Sequence, residues 1–253
     1  MNLIENKLLM NNQKNNTKHI YVIFSFGLLT AIILNIPGGF YFLYPFMILG
    51  TWFHEFSHGI TALLLGGDFH KLVVFPDGSG YAQFAYDSLF LGRIGESIVA
   101  AAGSIGPILI GALLIILSTK EKYKKTTTIV MSIIILISTI IWVRPLISFG
   151  VLFSLIIGIS LLIIGLKGNN KFNQITLQFL AVQAYVSLYL SVGYLFSRGA
   201  YVDGTHNMSD TEIIAENLFL PHWFWAILII IFSLYIIYLS LKYLIKKSRI
   251  SSN

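Results

Sequence analysis

The sequence contains no cysteine and few charged residues. The absence of cysteine excludes disulfides and thiolate ligands, so histidine, carboxylate or main-chain oxygen would have to hold any metal ion. Only 11% of the residues are Asp, Glu, Lys or Arg, whereas a soluble domain has about 25%. Because 56% of the residues are hydrophobic, the composition excludes an ordinary soluble domain and predicts an integral membrane protein.

Seven apolar runs follow one another along the chain. Each is about long enough to cross a bilayer, which takes roughly 20 residues. The runs are residues 19–36, 41–65, 94–118, 126–143, 146–166, 175–196 and 223–244. They show no internal repeat. We therefore expect an all-α polytopic membrane protein with about 6–7 transmembrane helices.

These runs predict a single transmembrane domain, residues 19–245. An Asn- and Lys-rich tail, residues 1–18, precedes it and is expected to be disordered, and a basic tail, residues 246–253, follows it. The net charge of +6 lies largely in loops and tails, so it concerns membrane topology and not nucleic acid. The basic loops and the C-terminal tail favour one orientation and the basic N-terminal tail favours the other, which leaves the orientation open.

The second apolar run contains the string H-E-F-S-H at residues 54–58. On a helix, His54 and His58 lie on one face, one turn apart, so both imidazoles can reach one metal ion. Glu55 then points at the remaining coordination position, where water would bind. Such a string also occurs by chance in soluble helices. Inside a membrane it is poorly tolerated without a function, since one ionisable group at a helix centre costs about 2.5–3.5 kcal/mol on insertion scales.

A polar interval follows the metal helix. It contains a β-prone stretch at residues 70–75, turn residues at 76–80 and a strand-like alternation at 81–86. We expect a short β-hairpin or edge strand beside the metal helix, the alternative being an ordinary connecting loop.

A zinc hydrolase needs a third protein ligand, and the second polar interval, residues 197–222, offers three candidates. These are Asp203, His206 and Asp210. Ser209 and Glu212 also have the spacing of a capping box, which gives Asp210 an alternative role at a helix start. Either aspartate could instead hydrogen-bond the second nitrogen of a ligating histidine.

Several motifs together resemble the site-2 protease family of intramembrane zinc metalloproteases, in particular a compact bacterial peptidase-like branch. The matching strings are H-E-F-S-H at 54–58, F-P-D-G-S-G at 75–80, G-S-I-G-P at 103–107 with Gly111, W-V-R at 142–144, S-D-T at 209–211 and P-x-x-x-W at 221–225. The resemblance covers most of residues 50–230. It implies a Zn²⁺ cofactor, Glu55 as general base and a membrane-embedded or juxtamembrane peptide substrate.

The resemblance leaves two candidates for the third ligand. Residues 202–204, V-D-G, are nearest to the L-D-G motif of the wider family and indicate Asp203, whereas the branch pattern falls on Ser209-Asp210 and favours Asp210. The Asn that often follows the Gly-Pro of the family is absent after Pro107.

The leading hypothesis is therefore a zinc endopeptidase in the lipid bilayer of a bacterial inner membrane. It would hydrolyse a peptide bond in or near the membrane by means of a zinc-activated water, with no nucleic acid as partner. The alternative is a proteolytically inactive metal-binding membrane protein that acts by binding a partner. A di-iron oxidase would need more paired histidines, and no repeat supports a transporter.

Overall fold

The computed structural model describes residues 25, 27–30, 32–33, 36–85, 89–202 and 204–250. We number its helices and strands in chain order. They are α1 Gly39–Leu64, β1 Asp68–Val74, β2 Gly80–Ala85, α2 Arg93–Ser118, α3 Lys124–Ile141, α4 Phe149–Lys167, α5 Asn170–Leu195, β3 Gly199–Val202, β4 Thr205–Met208, α6 Asp210–Asn217 and α7 His222–Ile250.

Five of these helices, α2 to α5 and α7, are long and apolar enough to cross a membrane. Helix α1 is also 26 residues long and carries the H-E-x-x-H string. Large apolar side chains such as those of Ile140 and Leu152 are exposed on the outside of the bundle, where lipid would contact them. The predicted class, a polytopic all-α membrane fold with small strands, is confirmed, and the chain is an integral membrane protein.

The predicted hairpin after α1 is confirmed as the antiparallel pair β1–β2. Its turn follows from the local sequence, because Gly78 has a φ of +89°, in the left-handed region that favours glycine. The N–H and hydroxyl of Ser79 both donate to Asp77 Oδ1, at 2.9 and 2.7 Å. These hydrogen bonds hold the pKa of the Asp77 carboxyl below its usual range.

Strand β1 is covered along both edges near its centre. One edge pairs with β2, and on the other side Leu72 forms a parallel bridge with Val143, just after α3. The Leu72 N–H donates to Trp142 O at 2.8 Å and the Arg144 N–H donates to Leu72 O at 3.0 Å. Leu72 thus directs both of its main-chain groups away from β2, so Leu72 and Ala82 form a non-hydrogen-bonded pair of the antiparallel ladder. In such a pair, Ala82 also directs its N–H and C=O away from the partner strand, β1.

The interval 197–222 contains a second hairpin, formed by β3 and β4, that the sequence did not predict. Helix α6 follows directly, at the helix start that Ser209 and Glu212 indicate. Ser209 is the N-cap of α6, because its side chain accepts the N–H of Glu212, but the reciprocal half of a capping box is absent, since the Ser209 N–H donates to Arg198 O at 3.1 Å. The hydroxyls of Ser209 and Thr211 donate to Ser197 O and Leu195 O, both at 2.6 Å, and so fix the start of α6 to the end of α5.

The helices approach closely where glycine faces a neighbour. Between α3 and α4, Gly165 lies against Ile129, and the hydroxyl of Ser132 donates to Gly158 O at 2.7 Å. Lipid is as apolar as a leucine side chain, so the hydrophobic effect favours little helix association within a bilayer. Close packing and interhelical hydrogen bonds of this kind hold the bundle together instead.

We expect Gly165→Ala to destabilise the protein by about 1–3 kcal/mol, because the new Cβ would overlap the Ile129 side chain and approach its main chain. Gly193→Ala is the matched control, since nothing lies within 4 Å of the position of its Cβ. Thermal unfolding in detergent, followed by circular dichroism, measures both. Equal melting temperatures for the two variants would contradict this account of the packing.

Candidate metal centre

Helix α1 presents His54 and His58 one turn apart on the same face. Their ring centroids are 4.7 Å apart and their Nε2 atoms 3.1 Å apart. The side chains are 18% and 9% exposed. The i, i+4 spacing thus brings both imidazoles to one point inside the bundle.

Helix α2 fixes the orientation of the second histidine. His58 Nδ1 lies 2.7 Å from Val99 O, so this nitrogen carries the proton and donates it. The opposite nitrogen, Nε2, is then left with its lone pair directed at the site. Gly103 permits this approach, because a Cβ at that position would collide with Nε2 of His58.

Asp210 reaches the histidines from the first turn of α6. Its carboxylate is 4% exposed, with Oδ2 at 3.3 Å from His54 Nε2 and Oδ1 at 3.3 Å from His58 Nε2. The Ser104 hydroxyl on α2 donates to Oδ2 at 3.0 Å. The capping role of Ser209 and the position of Asp210 in the site are therefore compatible, because different residues provide them.

The three side chains fit a metal ion by donor chemistry and by geometry. Two imidazoles and a carboxylate are ordinary zinc ligands. A tetrahedral site with bonds of about 2.0–2.1 Å separates its ligand atoms by about 3.3 Å. The separations here are 3.1, 3.3 and 3.3 Å. His58 Nε2 and the Asp210 oxygen facing it both carry lone pairs, and such a contact is favourable only with a cation or a proton between them.

Glu55 lies on α1 beside the first histidine and faces strand β2. The residue is 9% exposed, and the main-chain N–H of Ala82 hydrogen-bonds its carboxylate. A Cβ at Gly80 would stand 3.3 Å from Glu55 Cγ, so the strand runs directly against this part of the helix. The hairpin therefore supports the carboxylate next to the cluster of His54, His58 and Asp210.

The other two candidate ligands are not part of the described cluster. Asp203 falls outside the described residues. His206 lies on β4, which is exposed, and its ring contacts Tyr201 with centroids 5.3 Å apart. In the part of the chain that the structure describes, His54, His58 and Asp210 form the group whose ligand atoms lie within 4.8 Å of one another.

These side chains open into a cavity of about 660 Å³. Its wall includes β2 on one side and the β3–β4 hairpin on another, with Tyr81, Ala82, Asn207 and Met208 among the lining residues. A space of this size accommodates several residues of an extended peptide.

Three supporting contacts were not found from the sequence. The Val99 carbonyl carries no sequence signal, because any residue type supplies one. Ser104 lies in the small-residue run of α2, where it resembles a packing residue. The Tyr194 hydroxyl accepts the N–H of Asp210 and lies 3.3 Å from Met208 O. Tyr194 belongs to α5, whose sequence predicts a transmembrane helix and gives no sign of a functional site.

A comparison with family models gives one match. The model described as Peptidase M50B-like matches residues 25–240, which include α1, α6 and both hairpins. No curated protein and no solved structure matches the chain. Because the matched region is most of the sequence, the chain belongs to the Peptidase M50B-like family and carries a site-2 protease family domain.

Proposed function

We propose that the protein is an intramembrane zinc metalloendopeptidase, and that His54, His58 and Asp210 hold the zinc. The observation that carries the proposal is the convergence of two imidazoles and one carboxylate within 3.1–3.3 Å, beside Glu55 and inside an apolar bundle. Family membership supports the same class of activity. Zinc bound there supplies Lewis acidity, which polarises a scissile carbonyl and lowers the pKa of water to about 7.

Glu55 is the proposed general base. Its carboxylate adjoins the ligand cluster and is shielded from bulk solvent, so its proton transfers are confined to the site. In the proposed reaction it takes a proton from the attacking water and passes it to the amine that leaves. The Ala82 N–H bound to the carboxylate keeps it oriented during both transfers.

The substrate segment has to be extended when it is cleaved, because a helix keeps its peptide groups in hydrogen bonds. An edge strand can hold an extended segment by main-chain pairing. The sequence offered both residues 72–75 and 81–84 for this role. Since Val143 bridges β1 at Leu72, the outer edge of β2 is the better candidate, and Ala82 lies on the cavity wall.

The proposed partner is thus a membrane-embedded or juxtamembrane peptide segment, in the inner membrane of a bacterium. The chemistry acts on peptide bonds that soluble proteases do not reach. A protein that binds zinc and a peptide but cleaves nothing is the competing function, and the next experiment separates the two.

We expect Glu55→Gln to lower the cleavage rate of a quenched fluorogenic transmembrane peptide in proteoliposomes by about 10²–10⁴-fold, because the general base is lost. Zinc content should stay at the wild-type level, since the three ligands remain. Glu216→Gln, a change at an exposed carboxylate outside the cavity lining, is the matched control and should cleave normally. Cleavage by Glu55→Gln at the wild-type rate would contradict the proposed role of Glu55.

Photocrosslinking tests the place of the substrate on β2. With benzoylphenylalanine in place of Tyr81, in the Glu55→Gln background, we expect a light-dependent adduct with the same transmembrane peptide. Tyr123, which is 41% exposed at the other end of the bundle, is the control position and should give no adduct. Equal adduct formation at both positions would refute binding along β2.

A further inference from the structure

The cavity does not end at the metal cluster. It continues beside α1 toward the start of that helix, where Thr30, Phe46 and Met47 line it together with Gln183 from α5. From His54 to Met47 the helix measures about 10 Å, at 1.5 Å per residue. We call this part of the cavity, bounded by Thr30, Phe46, Met47 and Gln183, the distal pocket.

Helix α5 runs beside α1 along this part of the cavity. A Cβ at Gly50 would lie 3.3 Å from Ser187 Cβ, and the rings of Phe46 and Phe179 are in contact with centroids 4.7 Å apart. Gln183 lies midway between Phe179 and Ser187 in the sequence, one helical turn from each. Its side chain therefore enters the cavity about 9 Å from the level of the metal cluster along α1.

Strand β2 leads from the metal cluster toward the distal pocket. At the cluster, the Ala82 N–H hydrogen-bonds the carboxylate of Glu55. One turn earlier on α1, the Thr51 hydroxyl donates to Gly78 O at 2.6 Å, just before the strand begins at Gly80. An extended peptide that pairs with β2 thus approaches the distal pocket as it passes toward the start of the strand. At about 3.3 Å per residue, the pocket lies about three residues from the bond at the cluster.

The Gln183 side chain is buried and has unused capacity for hydrogen bonds. The residue is 5% exposed and its neighbour Thr30 is 4% exposed. Gln183 Nε2 lies 3.5 Å from Thr30 Oγ1, which is long for a bond whose usual length is about 2.9–3.0 Å. A glutamine amide has two N–H donors and an oxygen with two lone pairs, and no other described residue hydrogen-bonds this one. Since buried polar groups are nearly always paired, the pocket suits a polar occupant.

The occupant that fits is uncharged. No Lys or Arg is among the described residues of the cavity wall, and its carboxylates are those of Glu55 and Asp210 at the metal cluster. A charged side chain in the distal pocket would lose its hydration without gaining an ionic partner, which is costly in an apolar bundle. A side-chain amide, in contrast, offers Gln183 both a donor and an acceptor.

We propose that the distal pocket is a substrate subsite, in which Gln183 selects a Gln or Asn side chain about three residues from the scissile bond. The inference rests on the proposed function, which places the scissile bond at the metal cluster and the substrate along β2. Gln183 is in this account a specificity-determining residue, distant from the reacting atoms. It hydrogen-bonds the substrate side chain and so sets which bond of an extended segment reaches the cluster.

Peptide binding tests the subsite without catalysis. The Glu55→Gln protein is placed in lipid nanodiscs with an acceptor dye on Asn170→Cys, an exposed position in a chain that has no native cysteine. Two donor-labelled transmembrane peptides of uniform apolar sequence are titrated by energy transfer. One carries a central Gln and the other a Met, which has similar size and helix propensity.

We expect the Gln peptide to bind about tenfold more tightly than the Met peptide, as one or two net hydrogen bonds would provide. Gln183→Met should abolish the difference. Gln178→Met is the matched control and should preserve it, because Gln178 is a buried, unpaired amide on the same helix that does not line the cavity. Circular dichroism melting checks that each variant is folded.

Equal affinities for the two peptides would overturn the proposal, because the amide would then bind water only. A preference that survives Gln183→Met would overturn it as well. In the protein with Glu55 intact, mass spectrometry of the products should show that moving the Gln by one residue moves the cleaved bond by one residue. Cleavage without any preference for Gln would refute the subsite alone, and a Gln preference in a protein that cleaves no peptide would refute the proposed function alone.

Discussion

The structure depends on placing three polar side chains, those of His54, His58 and Asp210, at one point inside an apolar helix bundle. Each would be costly to bury alone, and the mutual 3.1–3.3 Å separations are favourable only with a positive charge among them. The surrounding contacts serve that convergence. Val99 fixes the tautomer of His58, Ser104 donates to Asp210, and the absence of a side chain at Gly103 leaves room for both imidazoles.

A second constraint acts on the strands beside helix α1. Main-chain groups at membrane depth have to be satisfied by protein, and β1 meets this requirement by pairing with β2 on one side and with Val143 on the other. Strand β2 is different, because its outer edge faces Glu55 and the cavity. In the proposed function this outer edge of β2, beside Glu55 and the cluster of His54, His58 and Asp210, is where an extended substrate pairs, which links the fold to the proposed reaction.

The features that could be predicted from the sequence are those determined by residues close together in the chain. The i, i+4 spacing of the histidines, the turn residues 76–80 and the Ser209 cap are all visible within a few residues, and the helices follow from apolar length. The choice between Asp203 and Asp210 is not local, because it depends on α6 docking against Ser104 of α2. The hairpin β3–β4 was missed because its strands have four residues each and no apolar alternation.

The central claim is that His54, His58 and Asp210 together bind one zinc ion, and metal analysis of the purified protein tests it most directly. When it is purified in detergent and without chelators, the wild-type protein should contain about one zinc per chain, as expected for a single three-ligand site. Asp210→Ala should lose that zinc, and Asp203→Ala should retain it. Zinc lost from Asp203→Ala and retained by Asp210→Ala, or a wild type without metal, would contradict the account.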